Sequence, residues 1–154
     1  AIASLGIVFV TRLAVGLRAR VAQLRAGGHR VWLVKEAPLQ AFSPPYRLTR
    51  LAMLDHSVEG VGQSVDEHHK RQAFISQLFA QLAKDPAVRV IDPASRLCDE
   101  SGLCRAELDG YSLYTDDNHL SEVGARLVAP ILEPLFVGLQ SGKKLAKGQV
   151  NAAK

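Results

Sequence analysis

The sequence has no uninterrupted apolar run of about 18 residues, so no stretch of it is expected to cross a membrane as a helix. It has no glycine-rich phosphate loop, which argues against a nucleotide site within these residues. No stripe of Arg and Lys interleaves with aromatics, which make up only 6% of the chain. The formal charge is +4, and Lys143, Lys144, Lys147 and Lys154 supply much of the basic excess. An excess of that size is ordinary solvation, so nucleic acid is not an expected partner. Cysteine is scarce, with Cys98 and Cys104 alone. Two sulfurs and scattered histidines form no ligand set of known spacing, so neither a metal nor another cofactor is expected. The adjacent pair His68-His69 does not alter this, because neighbouring residues of a helix point about 100° apart. Ala1 to Val10 is apolar but lacks a charged leader and a cleavage site, so it is not read as a signal peptide. The chain opens without methionine, and its start is expected to be an internal point of a longer protein.

What the chain does have is a core. Of its 154 residues 47% are hydrophobic and 22% charged, as in one globular domain or a large part of one. Val8, Leu13, Leu17, Val21 and Leu24, with arginines mostly between them, predict an amphipathic helix over 7–26, ended at Gly27-Gly28. Arg30 to Lys35 is β-branched and apolar, suited to a buried parallel strand. These are half of a βαβ unit whose first strand is expected upstream of Ala1. Glu36 to Tyr46 holds three prolines and reads as a loop at the ligand-facing end of that strand. A short helix over Arg47 to Leu54 and a glycine-bearing loop over Asp55 to Gln63 come next. Asp66 to Leu82 predicts a helix with Phe74, Ile75, Leu78, Phe79 and Leu82 inward. Val88 to Asp92 is a second parallel-type strand. From Ser121, Val123, Leu127, Val128, Ile131, Leu132, Leu135 and Phe136 mark a final helix that Pro130 and Pro134 should kink or divide. Gln140 to Lys154 loses periodicity and reads as a flexible tail after a domain of 1–139. There is no internal repeat and no sign of a second domain.

The densest chemistry lies in Tyr111 to Gly124, YSLYTDDNHLSEVG. Asp109-Gly110 is a turn signal, Tyr111 to Thr115 is β-prone, and Ser121 suits the N-cap of the final helix. The polar cluster therefore falls between a strand's end and a helix's start. In Asp116-x-x-His119 the carboxylate can accept a hydrogen bond from one ring nitrogen, leaving the other as a base. The plainer reading is an Asx-type turn with a solvated histidine. Asp117 is the alternative acid.

The run Leu113-Tyr114-x-Asp116-Asp117-x-His119-Leu120-Ser121-x-x-Gly124-Ala125 resembles the last catalytic block of the SGNH (GDSL-like) hydrolase superfamily. It is most similar to the version fused behind the membrane-embedded acyltransferase-3 domain of bacterial surface-polysaccharide O-acetyltransferases. The resemblance covers about Leu5 to Phe136. It implies a three-layer α/β/α fold with a parallel sheet, and it makes Asp116 and His119 the acid and base of a Ser-His-Asp triad, with Ser121 not the nucleophile. Lys35-Glu36-Ala37-Pro38 matches the position of a Val-x-x-Pro segment in that group, where Glu36 is either a substrate contact or a solvated loop acid. The family's similar cysteine pair supports a Cys98 to Cys104 disulfide, which would brace the site and imply an oxidising compartment. The alternative is two reduced thiols in a cytosolic protein.

Neither the family's Gly-Asp-Ser segment nor its Gly-x-Asn-Asp segment occurs here, and none of the ten serines sits in such a setting. The implied protein is therefore the C-terminal part of an acyl-transfer domain, extracytoplasmic and tethered to the inner membrane. Its acyl donor would come from the membrane domain, its acceptor would be a polysaccharide, and its serine would lie upstream. By that mechanism this stretch alone is expected to be inactive. Two other classes stay open. One is a non-catalytic α/β module that binds carbohydrate or a partner, and the other is an unrelated cytosolic α/β enzyme such as a nucleotide binder.

Overall fold

A computed structural model describes the backbone of residues 2–146 and the side chains of residues 11–137. Its elements in order are α1 (Ile2–Ala26), β1 (Val31–Val34), α2 (Pro44–Met53), β2 (Gly62–Ser64), α3 (Val65–Leu82), β3 (Val88–Ile91), α4 (Ala94–Leu97), β4 (Leu103–Arg105), β5 (Glu107–Leu108), β6 (Tyr111–Ser112) and α5 (Glu122–Ala146). Helices alternate with strands and β1 pairs with β3 in parallel, so the fold is α/β. The chain divides into two compact units, residues 1–35 with 69–91 and residues 36–68 with 92–154.

The first unit holds the parallel pair, in the register Val31↔Val88 through Val34↔Ile91. Val21, Val31, Leu33, Phe79 and Val88 form its buried core, with Leu17, Ile75, Leu82 and Val90 against them. α1 ends as its glycines require: Gly28 N–H donates to Arg25 O at 2.9 Å and His29 N–H to Leu24 O at 3.1 Å. Arg25 pairs with Asp85 at 2.8 Å and holds that carboxyl below its ordinary range. Three expected inward positions differ. Leu13 and Leu24 of α1 are exposed, and Phe74 of α3 is 37% exposed, because the buried stripe of each helix is narrower than its apolar sequence. The side chain of Val8 lies outside the described residues.

The second unit is built around Leu97, Ala106, Leu113, Tyr114 and Val128, with Ala37, Val123, Leu127, Ile131 and Leu132 packed on them. α2 starts at Pro44, inside the stretch expected to be loop, since proline is tolerated in a helix's first turn where its missing N–H has no partner to lose. Ser64 caps α3 by accepting the Glu67 N–H at 3.1 Å, with Asp66 and Glu67 in the first turn where the helix dipole favours them. β2 pairs antiparallel with β4, an addition within a stretch read as loop. β5 and β6 form a hairpin whose two turn residues, Asp109 (φ 52°) and Gly110 (φ 82°), are both left-handed, the geometry that Asp-Gly serves. α5 runs undivided through Pro130 and Pro134 and leaves Phe136 exposed. It continues to Ala146, so residues 140–146 are helix rather than tail, and 147–154 lie outside the described residues.

Candidate active site

Leu113 and Tyr114, just after β6, are fully buried, and the Leu113 main chain anchors both ends of the polar loop. Leu113 N–H donates to Ala106 O at 2.9 Å, and Leu113 O accepts the Ser121 N–H at 2.9 Å. Tyr114 and Leu120 then face each other across an antiparallel bridge, so residues 115–119 project as a closed loop. Thr115 seals it, donating both N–H (2.8 Å) and Oγ1–H (3.2 Å) to His119 O. Beyond the loop Ser121 caps α5. Its Oγ accepts the Gly124 N–H at 3.2 Å and donates to Ser112 O at 2.6 Å, so this hydroxyl is committed to structure. Gly124 is where α5 presses on the strand: a Cβ there would lie 2.1 Å from Leu113 O.

Within the loop Asp116 uses both carboxylate oxygens. Oδ1 accepts the N–H groups of Asn118 (2.9 Å) and His119 (2.7 Å), while Oδ2 meets His119 Nδ1 at 2.7 Å. The bonds from Asn118, from the His119 main chain and from the His119 ring, in that order, lower the Asp116 pKa to about 2. The carboxylate is therefore ionised at neutral pH and can only accept. In the neutral ring Nδ1 then carries the proton, and Nε2 keeps the lone pair. The His119 side chain is 73% exposed and Asp116 49%, so the basic nitrogen is open to an approaching group. Asp117, the alternative acid, is exposed and offers its carbonyl rather than its carboxylate to a neighbour, the Gln40 N–H at 2.8 Å.

The loop thus holds a carboxylate against one ring nitrogen of an exposed histidine. A family model described as the SGNH domain fused to AT3 domains matches residues 4–134. The chain belongs to that family. SGNH domains are broadly hydrolases and acyltransferases, and fusion to AT3 domains joins these ones to a membrane acyltransferase partner domain. No curated protein and no solved structure gave a match.

The remaining candidate residues of this SGNH domain are dispersed. Glu36 is exposed in the loop after β1. Cys98 and Cys104 are bonded through their Sγ atoms at 2.06 Å, beside β4. His68 is buried and His69 exposed, as neighbours on a helix point apart. Among the described residues no group of three or more His, Cys, Asp or Glu is arranged to hold a metal ion, and no helix is long and apolar enough to cross a membrane. A polar cleft of about 400 Å³, lined by Glu59, Asp99, Arg105, Glu107 and Asp109 among others, includes neither Asp116 nor His119. Sequence reasoning passed over Gln40 and Thr115, which brace the loop. Gln40 is distant in sequence and carries no local signal, whereas the Thr115 hydroxyl three residues after Ser112 was readable as a turn former.

Proposed function

We propose that Asp116 and His119 are the acid and base of a Ser-His-Asp triad for acyl transfer or ester hydrolysis, adding acetyl groups to a cell-surface polysaccharide or removing them. The serine comes from another part of the polypeptide, since none here has the family's setting. His119 Nε2 takes the serine hydroxyl proton as Oγ attacks the acyl carbonyl, and returns it to the departing oxygen as the first tetrahedral intermediate collapses. The acyl-serine is then attacked by a sugar hydroxyl or by water, whose proton His119 removes and passes back to serine Oγ as the acyl group leaves. Asp116 holds the ring in the Nδ1–H tautomer and stabilises the imidazolium that forms in each half. The observation that carries this reading is the 2.7 Å contact of Asp116 Oδ2 with His119 Nδ1, with Nε2 outward.

The same proposal takes residues 1–139 as the C-terminal portion of one three-layer α/β/α domain with a parallel sheet. It places that domain outside the cytoplasm, tethered to the inner membrane, where the membrane domain delivers the acyl donor and the Cys98 to Cys104 bond persists. Alone, this stretch is inactive. The test is ester turnover by the full-length protein with and without His119. Activity that survives His119→Ala overturns the proposal and favours a carbohydrate- or partner-binding module, a reading supported by the local commitment of both Asp116 oxygens.

A further inference from the structure

Gln40 lies in the loop after β1 and is 2% exposed. A glutamine sealed from water must find protein partners for its amide or leave polar atoms unmet at a cost. Its Nε2 is 3.5 Å from both Pro38 O and Cys104 O, so the amide sits against its own loop and against β4. Its Oε1 makes no bond of ordinary geometry, and neither does Tyr114 Oη, which is equally buried. Burial pushes the Tyr114 phenol up to about 12, and the Gln40 amide is the group that opposes the shift. The Gln40 main chain reaches the loop directly, its N–H donating to Asp117 O at 2.8 Å.

We propose that Gln40 is a positioning residue for the Asp116–His119 pair, clamping their loop at Asp117, the residue after Asp116. Its consequence for turnover rests on the acid–base reading above, while the clamp itself does not. The logic is geometric. Asp117 O belongs to the residue that follows Asp116, so any rotation there swings the carboxylate off the imidazole. Gln40 itself is keyed in place by an amide with no water to replace it. Losing the amide removes its contacts with the Pro38 and Cys104 carbonyls, and the segment is then free to move.

The test reads His119 rather than activity. Two-bond ¹H–¹⁵N spectra of this chain should show the Nδ1–H tautomer dominant. Gln40→Met, which keeps length and bulk without the amide, should raise the Nε2–H share at least about twofold, the small end of couplings between contacting residues. An unmoved tautomer in folded Gln40→Met overturns the proposal. The native chain gives a second measurement should that variant not fold: a scalar coupling across the bond from Gln40 N to the Asp117 carbonyl carbon. Its detection upholds the clamp, and its absence overturns it. The two proposals fail separately. A shifted tautomer with turnover that survives His119→Ala in the full-length protein keeps the clamp and sinks the triad, and an unmoved tautomer with inactive His119→Ala does the reverse.

Discussion

Asp116 grips His119 twice, taking its main-chain N–H on Oδ1 and its ring Nδ1 on Oδ2, each at 2.7 Å. A turn-forming aspartate and a ring-orienting aspartate are alternatives only if one oxygen must serve both purposes. Here each oxygen has its own, and the turn holds the ring partner in place.

That arrangement sets a pH dependence. The folded Asp116 pKa of about 2 lies below the ordinary aspartate value near 4. A depressed carboxylate contributes stability that is fully present above its unfolded value and is lost as pH falls through the folded one. The loop should therefore stay ordered through about pH 4 and lose its Asp116 bonds near pH 2. A ¹³C titration of the carboxyl checks this, and a midpoint near 4 would refute it. In His119→Ala the midpoint should rise yet stay below the ordinary value, because the Asn118 N–H remains.

Turnover should separate the two adjacent acids. In the full-length protein Asp116→Asn should lower kcat by about 10³- to 10⁴-fold, as when a triad loses its orienting carboxylate. Asp117→Asn should stay close to native, since Asp117 engages its neighbour through a carbonyl that the substitution leaves in place. Ester-hydrolysis assays of the two variants would decide the point, and equal losses would reassign the acid.

Gly124 should tolerate no side chain. A methyl group 2.1 Å from Leu113 O must displace backbone on one side or the other. Gly124→Ala should cost about 1–3 kcal/mol, the range of overpacked sites, in a denaturant titration of this chain. A native midpoint would show that α5 can shift freely.

The cysteine loop should contribute measurably. Closing a loop as short as Cys98 to Cys104 gives about 2 kcal/mol by the chain-entropy account. Paired Cys98→Ser and Cys104→Ser should lower the unfolding free energy by that order. Mass spectrometry after alkylation should find no free thiol in protein from the periplasm, and two free thiols would contradict the oxidised pairing.

Much of the candidate site's geometry was legible because it is local. Asp116 and His119 are three residues apart, Ser121 and Gly124 likewise, and such spacings survive into structure whatever surrounds them. The parallel strands announced themselves by β-branched runs bounded by glycine and proline. β2, β4 and β5 were not foreseen, because strands of two or three residues are too short to show alternation and owe their form to pairing. The start of α2 was missed because three prolines read as a barrier, although Pro44 stands where a helix accepts one. Gln40 was invisible for a different reason: its meaning lies in residues 64 and more positions away, and no period or motif connects them.

The loop from Thr115 to His119 closes on itself through bonds spanning at most four residues. Contacts of such low sequence separation require little chain to be gathered before they form. The Asp116–His119 contact can therefore form early, as a small self-organising unit, before distant strands of the sheet find one another. A loop built this way is portable: grafting the segment from Leu113 to Gly124 onto another turn-to-helix junction should carry the bonds of Asp116 to His119 with it, while the further tautomer bias proposed for Gln40 should stay behind.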